Sequence, residues 1–132
     1  MKYVTIITTL FFVSNAFAAE IDFSRHITDL DGKDIPSSAA KDAKPIDLAS
    51  ISGMALLTEP PAERGQAQSP ADKLARFNLA LKIHAGGKID LSSEETTLLK
   101  NAIGTVYPPL VVGRAIEILD PKPTKKDNFV KN

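Results

Sequence analysis

Residues Ser69 to Val106 read SPADKLARFNLALKIHAGGKIDLSSEETTLLKNAIGTV, and this stretch decides the fold of the chain. The pattern predicts a helix, a glycine turn, a short extended piece and a second helix. Ser69 is a preferred helix N-cap, and Pro70 fits the first helical position. Gly86-Gly87 ends the first helix, since glycine readily adopts the left-handed conformation that follows a helix.

The second helix of this stretch carries its own start signal. Ser92 and Glu95 have the capping-box spacing, in which each side chain accepts a hydrogen bond from the backbone N–H of the other. Before them, Lys88 to Leu91 alternates between polar and apolar residues and predicts one short strand pairing. The stripe expected to be buried on this helix is Leu98, Leu99, Ala102, Ile103 and Val106.

Apolar residues occupy much of the circumference of the first helix. One side carries Leu74, Phe77, Leu81 and His84, and another carries Ala75, Leu79 and Ile83. A helix of this kind is normally covered from two sides. We therefore predict that it lies at the centre of the domain and that Leu81→Asp would unfold the protein, because an unpaired charge would be buried.

Turn and cap signals organise the chain before this stretch. The run Asp29-Leu30-Asp31-Gly32 predicts a hairpin, or two extended pieces around an Asp-Gly turn. Asp47 is predicted to cap a helix that stops before Pro60-Pro61. Gly53, inside that helix, either weakens it by about 1 kcal/mol relative to alanine or lets another backbone approach closely.

A last helix follows the stretch. Pro108-Pro109 predicts its start, it continues through Leu119, and Asp120-Pro121 ends it. The expected fold is therefore mainly α (small α or α+β), with three to four short helices and one or two short β pairings.

The first residues predict an export signal. A basic start at Met1-Lys2 leads into an apolar run, and Ala16-Phe17-Ala18 is a small-x-small cleavage pattern. We expect cleavage after Ala18 or one residue later; the alternatives are an uncleaved anchor and a cytosolic protein with an apolar start. The expected organisation is a signal peptide over 1–18, one small helical domain over 19–120, and a flexible lysine- and proline-rich tail over 121–132. The expected location is periplasmic or secreted.

Charge and cysteine content exclude several functions. The 132 residues include 16 basic and 16 acidic residues and no cysteine. Four lysines and one aspartate lie in 121–132, which leaves a mildly acidic body without an electrostatic footprint for nucleic acid. Without cysteine, the chain has no disulfide, no thiol nucleophile and no Cys-type zinc site, so its stability must come from apolar burial.

Asp29, Asp31 and Asp34 around Gly32 suggest a calcium loop, but the ligand spacing fails. An EF-hand with Gly32 at position six would place Ile27 at position one, and Ser38 at position twelve, where glutamate is required. We therefore expect turn chemistry here, with a weak cation site as the alternative.

The helix–GGKIDL–helix unit has an EF-hand outline too, but Lys82 at position one would repel calcium. A DNA-binding helix-turn-helix is disfavoured by the export signal and the acidic body.

A metal site would need both His26 and His84 together with a carboxylate such as Asp22 or Asp90. We expect both histidines to be structural; His84 lies at a helix end, where a cation is favourable.

Catalytic patterns are also missing from the sequence. No serine lies in a Gly-x-Ser-x-Gly elbow. Carboxylates that could form a glycosidase pair are Glu59, Glu63, Glu94, Glu95 and Glu117, but nothing singles out two of them. We therefore expect no catalytic residue, no cofactor and no metal ion, and a protein that is not an enzyme.

Three runs carry a resemblance. LALKI (Leu79 to Ile83), LSSEE (Leu91 to Glu95) and LVVGRAIEIL (Leu110 to Leu119) resemble a pattern in small proteins encoded by tailed phages and prophages. The segment Ile51 to Leu57 fits as well, and the resemblance covers roughly Asp29 to Leu119. It implies a compact helical module and carries over no catalytic or binding residue. A signal peptide is not expected in a cytoplasmic virion-assembly factor, so this feature favours an exported role.

The sequence as a whole favours an exported, non-enzymatic protein of phage or prophage type that binds a protein in the cell envelope. The alternatives are a small envelope enzyme or lysis accessory, and a domesticated remnant without an active role. We expect no nucleic-acid partner and membrane contact only through the signal peptide; the oligomeric state stays open. The expected functional surfaces are the Asp29–Gly32 turn, the Glu59–Gln68 loop and the tail.

Overall fold

The computed structural model describes residues 19–61 and 68–121. Its elements are β1 (Ala19–Asp22), α1 (Leu48–Leu57), α2 (Pro70–His84), β2 (Lys88–Leu91), α3 (Ser93–Val106) and α4 (Pro109–Leu119). The predicted mainly α fold with four helices and a short β pairing is confirmed. The predicted signal peptide, the middle of the Glu59–Gln68 loop and the tail beyond Pro121 lie outside the described residues.

Local capping sets the helix starts where the sequence predicts them. The Asp47 carboxylate accepts a hydrogen bond from Ser50 N at 2.8 Å and caps α1. Ser69 Oγ accepts from Asp72 N at 3.1 Å and caps α2. The Ser92–Glu95 capping box of α3 is present with both of its hydrogen bonds. Each cap satisfies N–H groups that the first turn of a helix leaves without a partner.

Glycine ends α2 as expected. Gly86 and Gly87 have φ angles of 71° and 72°, in the left-handed region that favours glycine. This reversal turns the chain into β2, which pairs antiparallel with β1 in a register that places Ala19 opposite Leu91. The sequence predicted that β2 would pair but did not identify β1 as its partner.

The segment between β1 and α1 is extended and only lightly paired. Isolated antiparallel bridges join His26 to Asp47, Thr28 to Asp34, and Pro36 to Pro45. Gly32 has a φ of 80° at the tip of the predicted turn. The turn is therefore confirmed, but its flanks form single bridges rather than a regular two-stranded hairpin.

One hydrophobic cluster holds these elements together. It draws on both strands, the extended segment and all four helices, and its fully buried large side chains include Phe23, Ile27, Leu48, Ile51, Ile83, Leu91, Leu99 and Ile103. Ser52 is also buried, and among the described residues its Oγ is the one buried side-chain polar atom without a hydrogen-bond partner. Burial of aliphatic surface therefore dominates the core, as the absence of cysteine requires.

The central helix is α1, so the prediction of a central α2 is wrong. Helix α1 packs against both α2 and α3 and buries Leu48, Ile51, Ser52, Ala55 and Leu56. Helix α2 buries only one side, with Arg76, Leu79, Ala80 and Ile83. The burial of Leu81 that the Leu81→Asp prediction assumed is wrong as well, because Leu81 lies on the exposed side of α2.

Candidate functional site

Exposed large apolar side chains gather where α1 and α2 run side by side. Large apolar side chains stay more than half exposed at Leu57 (63%), Met54 (61%), Leu74 (58%) and Leu81 (56%), and Phe77 is 49% exposed. We call these five residues the α1–α2 face. Leu74, Phe77 and Leu81 are spaced three and four apart on α2, so they form one continuous stripe. Single exposed apolar residues are ordinary, but a contiguous group marks an interaction surface.

A groove opens within this face, between the two helices. It has a volume of about 510 Å³ and its sides carry Leu57, Phe77 and Leu81. The small residues Ala49, Gly53 and Ala80 also line it. A Cβ atom added at Gly53 would meet no heavy atom within 4 Å, so this glycine admits no close backbone contact. Of the two roles proposed for Gly53, close approach is therefore wrong, and the glycine instead leaves the groove open.

The groove continues toward the end of α1. A second hollow of about 190 Å³ shares Leu57 and Phe77 with the first. Glu59 and Lys73 line this far end and form an exposed ion pair, with Lys73 Nζ 2.8 Å from Glu59 Oε1. The hydrogen bond from Lys73, together with its positive charge, holds the pKa of Glu59 below its usual value. The two hollows together make an apolar groove with a charged pair at one end.

Polar groups at the other end are mostly engaged in the helix cap. Asp47 and Ser50 line the groove, but Ser50 donates both its N–H and its Oγ–H to Asp47 Oδ1, at 2.8 and 2.6 Å. His84 lies on the opposite wall. This end of the groove therefore offers apolar contact area with one acidic group and one histidine at its rim, which suits recognition better than bond-making chemistry.

Buried Arg76 fixes the relative position of the two helices. Its Nε donates to Leu56 O at 3.0 Å, and its Nη2 donates to Ala55 O at 2.8 Å and to Thr58 O at 3.1 Å. These carbonyls belong to the end of α1, where oxygens lack intrahelical donors and a cation is favourable. Arg76 thus ties α2 to the end of α1 beneath the second hollow.

The Asp29–Gly32 turn is a closed structural unit. Asp29 Oδ1 accepts hydrogen bonds from the backbone N–H groups of Asp31 and Lys33, both at 2.9 Å. Arg114 of α4 donates to Asp29 O at 2.7 Å and anchors the turn to the helix. These bonds confirm the predicted turn chemistry.

The two histidines have separate surroundings. His26 Nδ1 lies 2.9 Å from Asp34 Oδ2 in an exposed pair, whereas His84 lines the groove. Within residues 19–61 and 68–121, no group of three or more histidine, aspartate or glutamate side chains is arranged to hold a metal ion. Of the carboxylates considered for catalysis, Glu94 and Glu95 are neighbours in the first turn of α3 and line one hollow.

Three of those carboxylates pair with separate cations: Glu59 with Lys73, Glu95 with Lys82 and Glu117 with Arg114. Glu63 lies outside the described residues. Partial burial would raise the pKa of Glu95, but hydrogen bonds from Lys82 and the Ser92 N–H, together with the Lys82 charge, outweigh it and lower the pKa. These contacts stabilise helix ends and helix packing.

The sequence predicted that Leu74, Phe77 and Leu81 share one side of α2 but assigned that side to the core, and it did not join Met54 and Leu57 of α1 to them. The overlooked signal is that α1, LASISGMALL, contains no charged residue, whereas α2 contains several. The uncharged helix is the better candidate for the centre of a small domain. With α1 at the centre, no helix or strand within residues 19–61 and 68–121 covers the second apolar side of α2.

Comparisons with protein-family models, curated proteins and solved structures give no match. Among the helices of the described residues, none has the length and hydropathy needed to cross a bilayer.

Proposed function

We propose that this chain is an exported, non-enzymatic protein of phage or prophage type that acts by binding a protein in the cell envelope, and that the α1–α2 face is its binding surface. The observation that carries the proposal is the exposure of Leu57, Phe77 and Leu81 around one groove. The five side chains of the face expose on the order of 500 Å² of apolar surface, at the upper end of single patches on monomeric proteins.

The shape of the face favours a helical ligand. Groove-lining apolar residues recur along α2 at helical spacing, and small residues lie between them and α1. Amphipathic helices bind such grooves through apolar residues spaced three and four apart. The export role is supported by the signal-peptide pattern over 1–18, and the phage or prophage origin by the resemblance of the three runs.

A photo-crosslinking experiment tests the binding role. A photoreactive amino acid replaces Leu81, on the face, and in a matched control replaces Leu30, which is 84% exposed in the Asp29–Gly32 turn. Both variants are expressed with their own signal in a bacterial host with a periplasm. Irradiation should give a protein adduct from position 81 and much less from position 30, as identified by mass spectrometry. Absence of an adduct from position 81, or equal yields from both positions, would overturn the proposal.

A further inference from the structure

Resting on the protein-binding role proposed for the α1–α2 face, we infer that its occupant is a second copy of this chain, packed face to face about a two-fold axis. The exposed stripe of α2 is spaced for helix-on-helix packing. Leu74, Phe77, Leu81 and His84 follow one another at intervals of three, four and three residues, which is the spacing of positions a and d in a coiled coil.

This stripe is symmetric about its own middle. Two α2 helices that cross antiparallel place Phe77 of each copy opposite Leu81 of the other. The same rotation places Leu74 opposite His84, so every member of the stripe meets another member. Helix α1 lies beside α2 in each copy, and the pair of copies becomes a four-helix layer with its apolar residues inside.

Charge at the two ends of the groove favours the same arrangement. Lys73 lies at one end, exposed and paired with Glu59 at 2.8 Å, and Asp47 lies at the other end. The two ends are separated along α2 by about 16 Å. An antiparallel pair brings the Lys73–Glu59 pair of each copy toward Asp47 of the other, whereas a parallel pair would set Asp47 against Asp47. The self-complementary pattern is the one that a two-fold interface requires.

The area of the face agrees with such an interface. A stable protein–protein interface buries roughly 800 Å² per partner, with an apolar centre and a polar rim. The apolar centre here is on the order of 500 Å², and Asp47, Ser50, Glu59 and Lys73 supply the rim. An apolar centre of this size, surrounded by this polar rim, fits one standard interface between two copies.

The test is the mass of the exported protein in solution. Sedimentation equilibrium from about 1 to about 100 μM should show a dimer for the natural chain at the upper end. Leu81→Asp should raise the dimer dissociation constant on the order of 100-fold, because each interface would bury two new charges. Leu30→Asp makes the same chemical change on an exposed turn and should leave the dimer intact. Lys73→Glu should weaken the dimer less, and more at low salt than at high salt. Circular dichroism checks that each variant is folded.

Several outcomes overturn the inference. The inference is overturned if the natural chain stays monomeric over the whole concentration range. It is also overturned if folded Leu81→Asp still forms the dimer. The adduct from position 81 separates this failure from failure of the proposed function. An adduct between two copies of the chain supports both the protein-binding role and the dimer. An adduct with a different protein supports the binding role and contradicts the dimer. The absence of any adduct from position 81 contradicts both.

Discussion

Helix α2 presents two apolar sides that differ in what covers them. Leu79 is 3% exposed and Leu81 is 56% exposed, although both are leucines two positions apart on one helix. The side with Leu79 and Ile83 packs into the common core, whereas the side with Leu81 borders the open groove. Residue type and spacing determine which side chains lie together; neighbouring elements determine whether those side chains leave solvent.

The difference follows from the place of α1. Because α1 packs against both α2 and α3, it takes the central position that the apolar character of α2 suggested for α2 itself. Helix α2 is left at one side of the domain and buries only the side that faces inward. A helix with more apolar residues than one covered side needs is the helix to examine for an interface.

The largest expected effect comes from substitutions on the two sides of α2. Ile83→Ala removes fully buried atoms and leaves a cavity, so it should lower the free energy of unfolding by about 2–5 kcal/mol. Leu81→Ala removes atoms that already contact solvent and should change it by less than about 0.5 kcal/mol. Urea unfolding of dilute protein measures both values without a contribution from association. Equal losses in the two variants would contradict the comparison.

Arg76 is the polar member of the buried side and tests how that side is held. Arg76→Met keeps an unbranched side chain but removes the donors to three carbonyls at the end of α1. The free energy of unfolding should fall by about 2 kcal/mol, because buried carbonyls would lose their partners. Arg76→Lys keeps the charge but has fewer directed donors, so its free energy of unfolding should lie between those of the natural chain and Arg76→Met. If Arg76→Met lowers the free energy of unfolding no more than Leu81→Ala does, the hydrogen bonds from Arg76 to the end of α1 contribute little to stability.

The smallest expected effect concerns the polar edge of α2, where Lys82 Nζ lies 2.8 Å from Glu95 Oε2. Glu95→Gln keeps a side chain that still completes the capping box but removes the charge. The folded-state pKa of Glu95 lies below its ordinary value of 4.5, so the carboxylate stabilises the fold above that pH and loses this contribution as the pH falls through the folded pKa. Because the pair is partly exposed, the loss in Glu95→Gln near neutral pH should be only about 0.5 kcal/mol.

Urea unfolding of the natural chain and Glu95→Gln at neutral and acidic pH measures this contribution. The two stabilities should converge as the pH falls below 4.5, the ordinary pKa of the glutamate side chain. A difference that stays constant across this range would mean that the charge of Glu95 does not stabilise the contact between α2 and α3.

Much of the secondary structure could be predicted because its signals are local. The caps at Asp47, Ser69 and Ser92 each bond to a backbone N–H three residues away, and Gly86-Gly87 ends α2 through its own backbone freedom. These interactions depend on neighbours within one helical turn, so the sequence alone determined them.

The candidate site could be predicted only in part. Leu74, Phe77 and Leu81 were recognised as one side of a helix, but their exposure and the groove beside Gly53 were not. The pairing of β1 with β2 was missed as well, because the partners lie far apart in the chain. The exposure was missed because a leucine has the same chemistry in a core and in an interface, so residue type alone does not separate the two.

The amino-acid sequence by itself determined where the helices begin and end, which residues share a side, and that the core would be aliphatic. Only the tertiary structure decided that α1 is central, that α2 stands at one side, and that Leu81 faces the groove while Leu79 faces the core. The physical reason is that a hydrogen-bonded cap is completed by its immediate neighbours, whereas burial is completed by whichever distant element packs against the same surface.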